Sequence, residues 1–208
     1  MEKRKLLKLA SQIVFFGAVW GITEATIGYL LHFLPPTIAG IIMFPIAVFI
    51  LVKASKATGS RASLIFVGIV AAGIKAIDFV LPGMMSFKII NPMISIVMES
   101  LLVMAVYPLL KKADWKSRLA GSMAASTGWR AGYILYMTGQ FLITGFVSNY
   151  IASAAAVINF VILNGILSGA LVVGVLMAEP KLTLKTVKFR PVYALAAFVF
   201  AAGLQLLL

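Results

Sequence analysis

The chain has 208 residues, of which 62% are hydrophobic and only 12% charged, with 18 Lys and Arg against 6 Asp and Glu. A soluble globular domain carries about twice that charged fraction, so one is excluded. The absence of cysteine excludes disulfides, thiol nucleophiles and Cys-ligated zinc or iron–sulfur centres.

The predicted elements are membrane-length helices, each needing about 20 apolar residues to cross the hydrocarbon layer. The first covers 9–34 and ends at Pro35-Pro36, a pair that stops a helix. It follows the basic stretch Lys3/Arg4/Lys5/Lys8 and is too long for the apolar core of a signal peptide, so it is expected to be retained. The second, 37–52, is short and contains Pro45, which predicts a kink or an incomplete crossing. The third, 62–81, closes at Pro82-Gly83, and the fourth, 89–110, opens at Asn91-Pro92 with proline in the first turn. A fifth helix is expected over 119–146, a sixth over 150–178 and a plain apolar seventh over 191–208. The fold class is therefore all-α: a polytopic bundle of six to seven transmembrane helices forming a single domain over 1–208, with no loop long enough to hold a soluble module.

Basic residues set the orientation. Lys53/Lys56/Arg61, Lys111/Lys112/Lys116/Arg118 and Lys181/Lys185/Lys188/Arg190 follow the N-terminal cluster at every second loop. Of the eighteen Lys and Arg, only Lys75, Lys88 and Arg130 fall outside these clusters. Short loops rich in Lys and Arg stay in the cytoplasm. The N-terminus is thus expected in the cytoplasm and the C-terminus outside, with anionic lipids rather than nucleic acid as the counter-charge to the net +12.

Against that background, Glu24, Lys75, Asp78, Glu99 and Arg130 sit near the middle of predicted spans. Each such charge costs about 2.5 kcal/mol or more at the bilayer centre and is normally turned inward and paired. Helical spacing arranges polar and aromatic residues into stripes. Trp20, Glu24, Gly28 and His32 share a face of the first helix, and Lys75 and Asp78 share one on the third. Asn91, Ser95 and Glu99 line the fourth, Trp129, Tyr133, Tyr136 and Gln140 the fifth beside Arg130, and the sixth adds Asn159 and Asn164. With the expected orientation these stripes occupy the midplane and outer half, which suits a cavity open to the exterior with Lys88 at its mouth. One account is purely structural: Lys75 paired with Asp78, and Arg130 with Glu24 or Glu99. The aromatic company points instead to a small-molecule pocket, which is mostly apolar with a few placed polar groups. Tyr136, Tyr150 and Trp115 also suit interfacial anchoring, the role assigned to Trp115.

Small residues recur every four positions as Gly17/Gly21/Ala25, Gly68/Ala72/Ala76 and Ala124/Gly128/Gly132. Such stripes let helix backbones approach closely, either inside the bundle or against a partner membrane protein. Catalytic signals are thin: one histidine, no GxSxG elbow and no Gly-rich phosphate loop. No metal site, cofactor or enzymatic activity is expected.

A chain of this length, with about six helices, a cytoplasmic N-terminus, no nucleotide motif and an outward polar-aromatic cavity, resembles the substrate-binding S component of energy-coupling factor transporters. Its Gly17/Gly21/Ala25 stripe is similar to the alanine-rich stripe by which those proteins contact their transmembrane coupling subunit. The resemblance implies a vitamin or micronutrient binder working with a coupling protein and two cytoplasmic ATPases. Glu24 and Glu99 would then face a cationic or amino-bearing ring, with Trp20, Trp129 and Tyr133 stacking on it. Arg130 and Lys75 would hold an acidic substituent or neutralise the carboxylates. Two alternatives stand beside it. One is a proton- or ion-coupled secondary transporter using Glu24, Asp78 and Glu99; the other is an intramembrane lipid-modifying enzyme using Glu24 and His32 as acid and base.

Overall fold

The computed structural model describes residues 2–31, 33–179 and 190–207. Seven helices, without strands among the described residues, account for the fold. They are α1 (Glu2–Leu31), α2 (Pro36–Thr58), α3 (Ser63–Val80), α4 (Ser86–Leu110), α5 (Trp115–Thr144), α6 (Ala154–Ala178) and α7 (Pro191–Leu207). Within this set α1, α2, α3, α4 and α6 are long and apolar enough to cross a membrane; α5 is longer still but more polar, and α7 is short.

Four boundaries differ from expectation. The second helix is not short, because it continues through Lys53 and Lys56 to Thr58 and is capped by Gly59 at φ 69°, whose N–H donates to the Ser55 carbonyl. The fourth helix starts at Ser86 rather than Asn91, so Pro92 lies inside it instead of in its first turn. The sixth starts at Ala154, where the Ser153 hydroxyl caps it by accepting from the Ala156 N–H, and Tyr150 is left in the preceding turn. At the start of α5 the Asp114 carboxylate accepts from the Ser117 N–H at 2.7 Å, which moves the boundary back to Trp115. Trp115 itself is exposed, as an anchoring residue would be.

Packing follows a ring in the order α1, α3, α4, α5, α6 and α2, with α2 also touching α3 and α4. The seventh helix lies outside that ring, against α1 and the end of α3. The small-residue stripes make these contacts. A Cβ on Gly17 or Gly21 would collide with Val70 or Ile74 of α3, one on Gly68 with Ser100 of α4, and one on Gly128 would meet Leu102 of α4. The face carrying Gly17, Gly21 and Ala25, expected as a docking stripe, is therefore filled from within the chain: Gly17 and Gly21 pack on α3, and Ala25 is buried. Gly165 and Gly169 do the same for α6 against Thr127 and Met123 of α5.

Pro45 sits inside α2 without a break. Proline has no N–H to give the carbonyl four residues back, here Ile41. The buried Ser168 hydroxyl of α6 donates to that carbonyl at 3.2 Å, which satisfies it from the neighbouring helix.

The bundle has two distinct ends. One carries the described basic clusters, which we term the basic end. The other carries the turns around Pro35, Pro82–Phe87 and Gly145–Tyr150. At the basic end Glu179, just past α6, binds Lys53 at 2.6 Å and also Lys56, tying α6 to α2. Arg118 donates to the Lys112 and Leu176 carbonyls.

Candidate functional site

At the end opposite the basic loops, α4, α5 and α6 diverge around a cleft of about 590 Å³. The residues that shape it come from where helices start and stop. Phe87, Lys88 and Asn91 stand on the first turns of α4, Phe146, Ser148, Asn149 and Tyr150 on the turn after α5, and Ala156, Asn159 and Phe160 on the start of α6. Gly145, at φ 71°, ends α5 in the left-handed region and turns the chain toward this turn.

Two aromatic pairs form its walls and floor. Phe87 and Phe146 stack with centroids 5.0 Å apart, and Tyr150 lies 4.4 Å from Phe160 at a tilted angle. Phe160 is held by a π-turn over Asn159–Leu163, a local widening of the helix that recurs at functional positions. Asn91 is fixed across the α4–α5 seam: its Oδ1 accepts from the Tyr136 hydroxyl at 2.9 Å and from Gln140 Nε2 at 3.3 Å. Its NH2 remains as the side chain's donor group. Asn149 and Asn159 add two further amides to the lining.

Directly beneath Phe160 the ring cluster continues inward through Tyr133 and Trp129. Arg130 is completely buried there, with its guanidinium carbon 4.5 Å from the Trp129 ring, 5.7 Å from Phe160 and 6.0 Å from Phe44. Its hydrogen bonds go to the Ser126 carbonyl and hydroxyl and to the Gly40 carbonyl, at 2.7 to 3.0 Å. No ion pair joins it to Glu24 or Glu99 among the described residues, contrary to the pairing that charge balance suggested. Serine hydroxyl, backbone oxygen and three ring faces take the place of a carboxylate. Glu99 on α4 is 5% exposed, and its Oε2 has no hydrogen-bond partner among the described residues; the same holds for Trp129 Nε1 and Arg130 Nε. The fields of Glu24 and Arg130 both reach Glu99.

The remaining expected residues stand on α1 and α3, outside the cleft lining. Buried Trp20 donates its indole N–H to Glu24 at 3.0 Å, and Glu24 opens a π-turn in α1 over Glu24–Gly28. Asp78, 2% exposed, pairs with Lys75 at 2.8 Å and accepts from Gln205 Nε2 at 2.6 Å. These bonds clasp α7 to α3 rather than line a cavity. His32 lies outside the described residues. Of the expected binding residues, the structure thus brings Asn91 and Asn159 to the cleft wall and Tyr136 and Gln140 to its support. It places Tyr133, Trp129 and Arg130 beneath the floor, and leaves Trp20, Glu24, Lys75, Asp78 and Glu99 out of the cleft lining. Phe87, Phe146, Asn149 and Phe160 were not singled out from the sequence. Their signal was their position, since all flank turns rather than mid-helix stripes.

Metal binding finds no support in the side-chain arrangement: among the described residues no three His, Cys, Asp or Glu side chains converge. No protein-family model, curated protein or solved structure matches the chain.

Proposed function

We propose that this chain is a multi-pass membrane protein that captures a small, ring-bearing solute from outside the cell, with the basic loops in the cytoplasm and the cleft facing outward. One observation carries this: an open cleft of about 590 Å³ walled by four aromatic rings and three asparagine amides. Small-molecule sites have volumes of a few hundred Å³ and this mix of flat apolar faces with few polar groups. The expected orientation adds the direction of access, because Lys- and Arg-rich loops lie on the opposite end. Uptake of the captured solute would be driven by separate ATP-hydrolysing coupling subunits, as in the transporters whose S component the chain resembles. The site residues are then Phe87, Asn91, Phe146, Tyr150, Asn159 and Phe160, held from below by Tyr133 and Trp129.

The test is thermal stability of the detergent-purified protein across a panel of ring-bearing nutrients. A solute at a hundred times its Kd stabilises the fold by about 2.7 kcal/mol, a shift of several degrees. Asn159→Trp, which fills the cleft from an exposed position, should abolish that shift while leaving the unliganded melting temperature in place. No shift from any compound, or an equal shift in the variant, overturns the proposal.

A second reading has one observation in its favour, the buried Glu99 with an unpartnered oxygen near Glu24 and Arg130. A proton-coupled carrier uses such a carboxylate as its relay. It requires uptake by vesicles containing this chain alone, driven by a pH gradient and lost in Glu99→Gln. Solute capture in the cleft leaves binding in Glu99→Gln unchanged, because Glu99 does not line the cleft.

A further inference from the structure

The charge around the cleft is one-sided. Lys88 is the one charged side chain in its described lining; it is exposed and has no carboxylate partner among the described residues. Beneath the floor, Arg130 carries a second positive charge that no carboxylate neutralises by contact; it lies 5.7 Å from the Phe160 ring, and its field reaches Tyr150. Glu99, which interacts electrostatically with Arg130, is buried and does not line the cleft. A solute in the cleft therefore meets ring faces, amides and a single charged side chain, the cationic Lys88 at the rim.

Resting on the capture of a ring-bearing solute proposed above, we propose that the cleft selects a planar ring carrying a carboxylate, with Lys88 as the counter-charge at the rim. The ring lies between the Phe87/Phe146 and Tyr150/Phe160 pairs, and the amides of Asn91 and Asn159 bond its edge. This assigns specificity to Lys88 and excludes cationic rings, the reverse of an assignment built on Glu24 and Glu99. Those two carboxylates are not among the residues that line the cleft.

The experiment is calorimetric titration of the full-length protein in detergent with two matched series. One is indole-3-acetate, indole-3-acetamide and tryptamine; the other is pyridine-3-carboxylate, pyridine-3-carboxamide and 3-(aminomethyl)pyridine. Within each series the ring is constant and only the charge changes. The carboxylate should bind at least tenfold more tightly than its neutral amide, and the ammonium compound most weakly. Lys88→Gln should bring the acid to within about threefold of the amide and leave amide affinity unchanged, whereas Lys116→Gln at the basic end should change nothing. Equal or tighter binding of the amide or the ammonium compound overturns carboxylate selection and leaves ring capture standing. So does a preference that survives Lys88→Gln. If no member of either series binds, ring capture fails and the selection falls with it.

Discussion

Polar side chains inside this bundle are satisfied less by one another than by backbone and rings. Arg130 shows it most plainly, with three ring faces and three oxygen acceptors in place of an ion pair. Asp78 follows the expected pairing with Lys75 but gains a second partner, Gln205, that no spacing rule connects to it. Ser168 is the clearest case of a residue whose role depends on another helix, because its hydroxyl serves the carbonyl that Pro45 leaves unbonded. Ser168→Ala should cost about 1 kcal/mol of stability, the usual loss when a buried acceptor is orphaned. Adding Pro45→Ala, which returns an N–H to Ile41, should recover most of it. A thermal-melt double-mutant cycle checks this, and additive losses would show that the two residues act independently. The sequence marked Arg130, Asp78 and Lys75 as unusual by depth alone. Beyond the Lys75–Asp78 pair it did not name their partners, because Gly40 and Gln205 are distant in the chain and Ser126, one turn before Arg130, is ordinary in type.

The all-helical class and the rough placement of the long apolar helices were legible because long apolar runs punctuated by proline and glycine leave few alternatives. The second helix was read too short because Lys53 and Lys56 looked like loop residues. They belong to the helix, and Glu179 at the end of α6 holds both. That three-residue clasp predicts a pH dependence. Burial alone would raise the Glu179 carboxyl, but hydrogen bonds and charge from Lys53 and Lys56 outweigh it and hold the group below its ordinary 4.5. A depressed folded-state value means the clasp contributes fully above about pH 4.5 and is lost as acid protonates Glu179 through its lower folded value. Wild type should therefore melt above Glu179→Gln at neutral pH, with the gap closing progressively below pH 4.5. A gap that is constant across pH would mean that Glu179 acts through shape rather than charge. The small-residue stripes were equally legible as close-packing faces, but sequence periodicity does not say which neighbour fills them. For Gly17 and Gly21 it is α3 of the same chain.

At the scale of the whole molecule, the asymmetry between ends organises the proposed activity: clustered Lys and Arg at one end, an aromatic cleft at the other. The first was visible as a charge pattern. The second was only half visible, since mid-helix stripes identified Asn91, Tyr136 and Asn159 but missed Phe87, Phe146 and Phe160. These rings converge because α4 begins early, at Ser86, and α6 begins late, at the Ser153 cap, and neither start is set by hydrophobic periodicity. Trp129 and Tyr133 were expected to touch the solute; in the structure they carry the floor ring from below. The measurement that bears most directly on solute capture is native mass spectrometry of the protein as purified, compared with Asn159→Trp. Capture predicts a bound small molecule, distinct from lipid and detergent, that fragments to a ring-bearing species and is missing from the variant. A wild-type protein that carries only lipid and detergent, or a variant that retains the same small molecule, would contradict it.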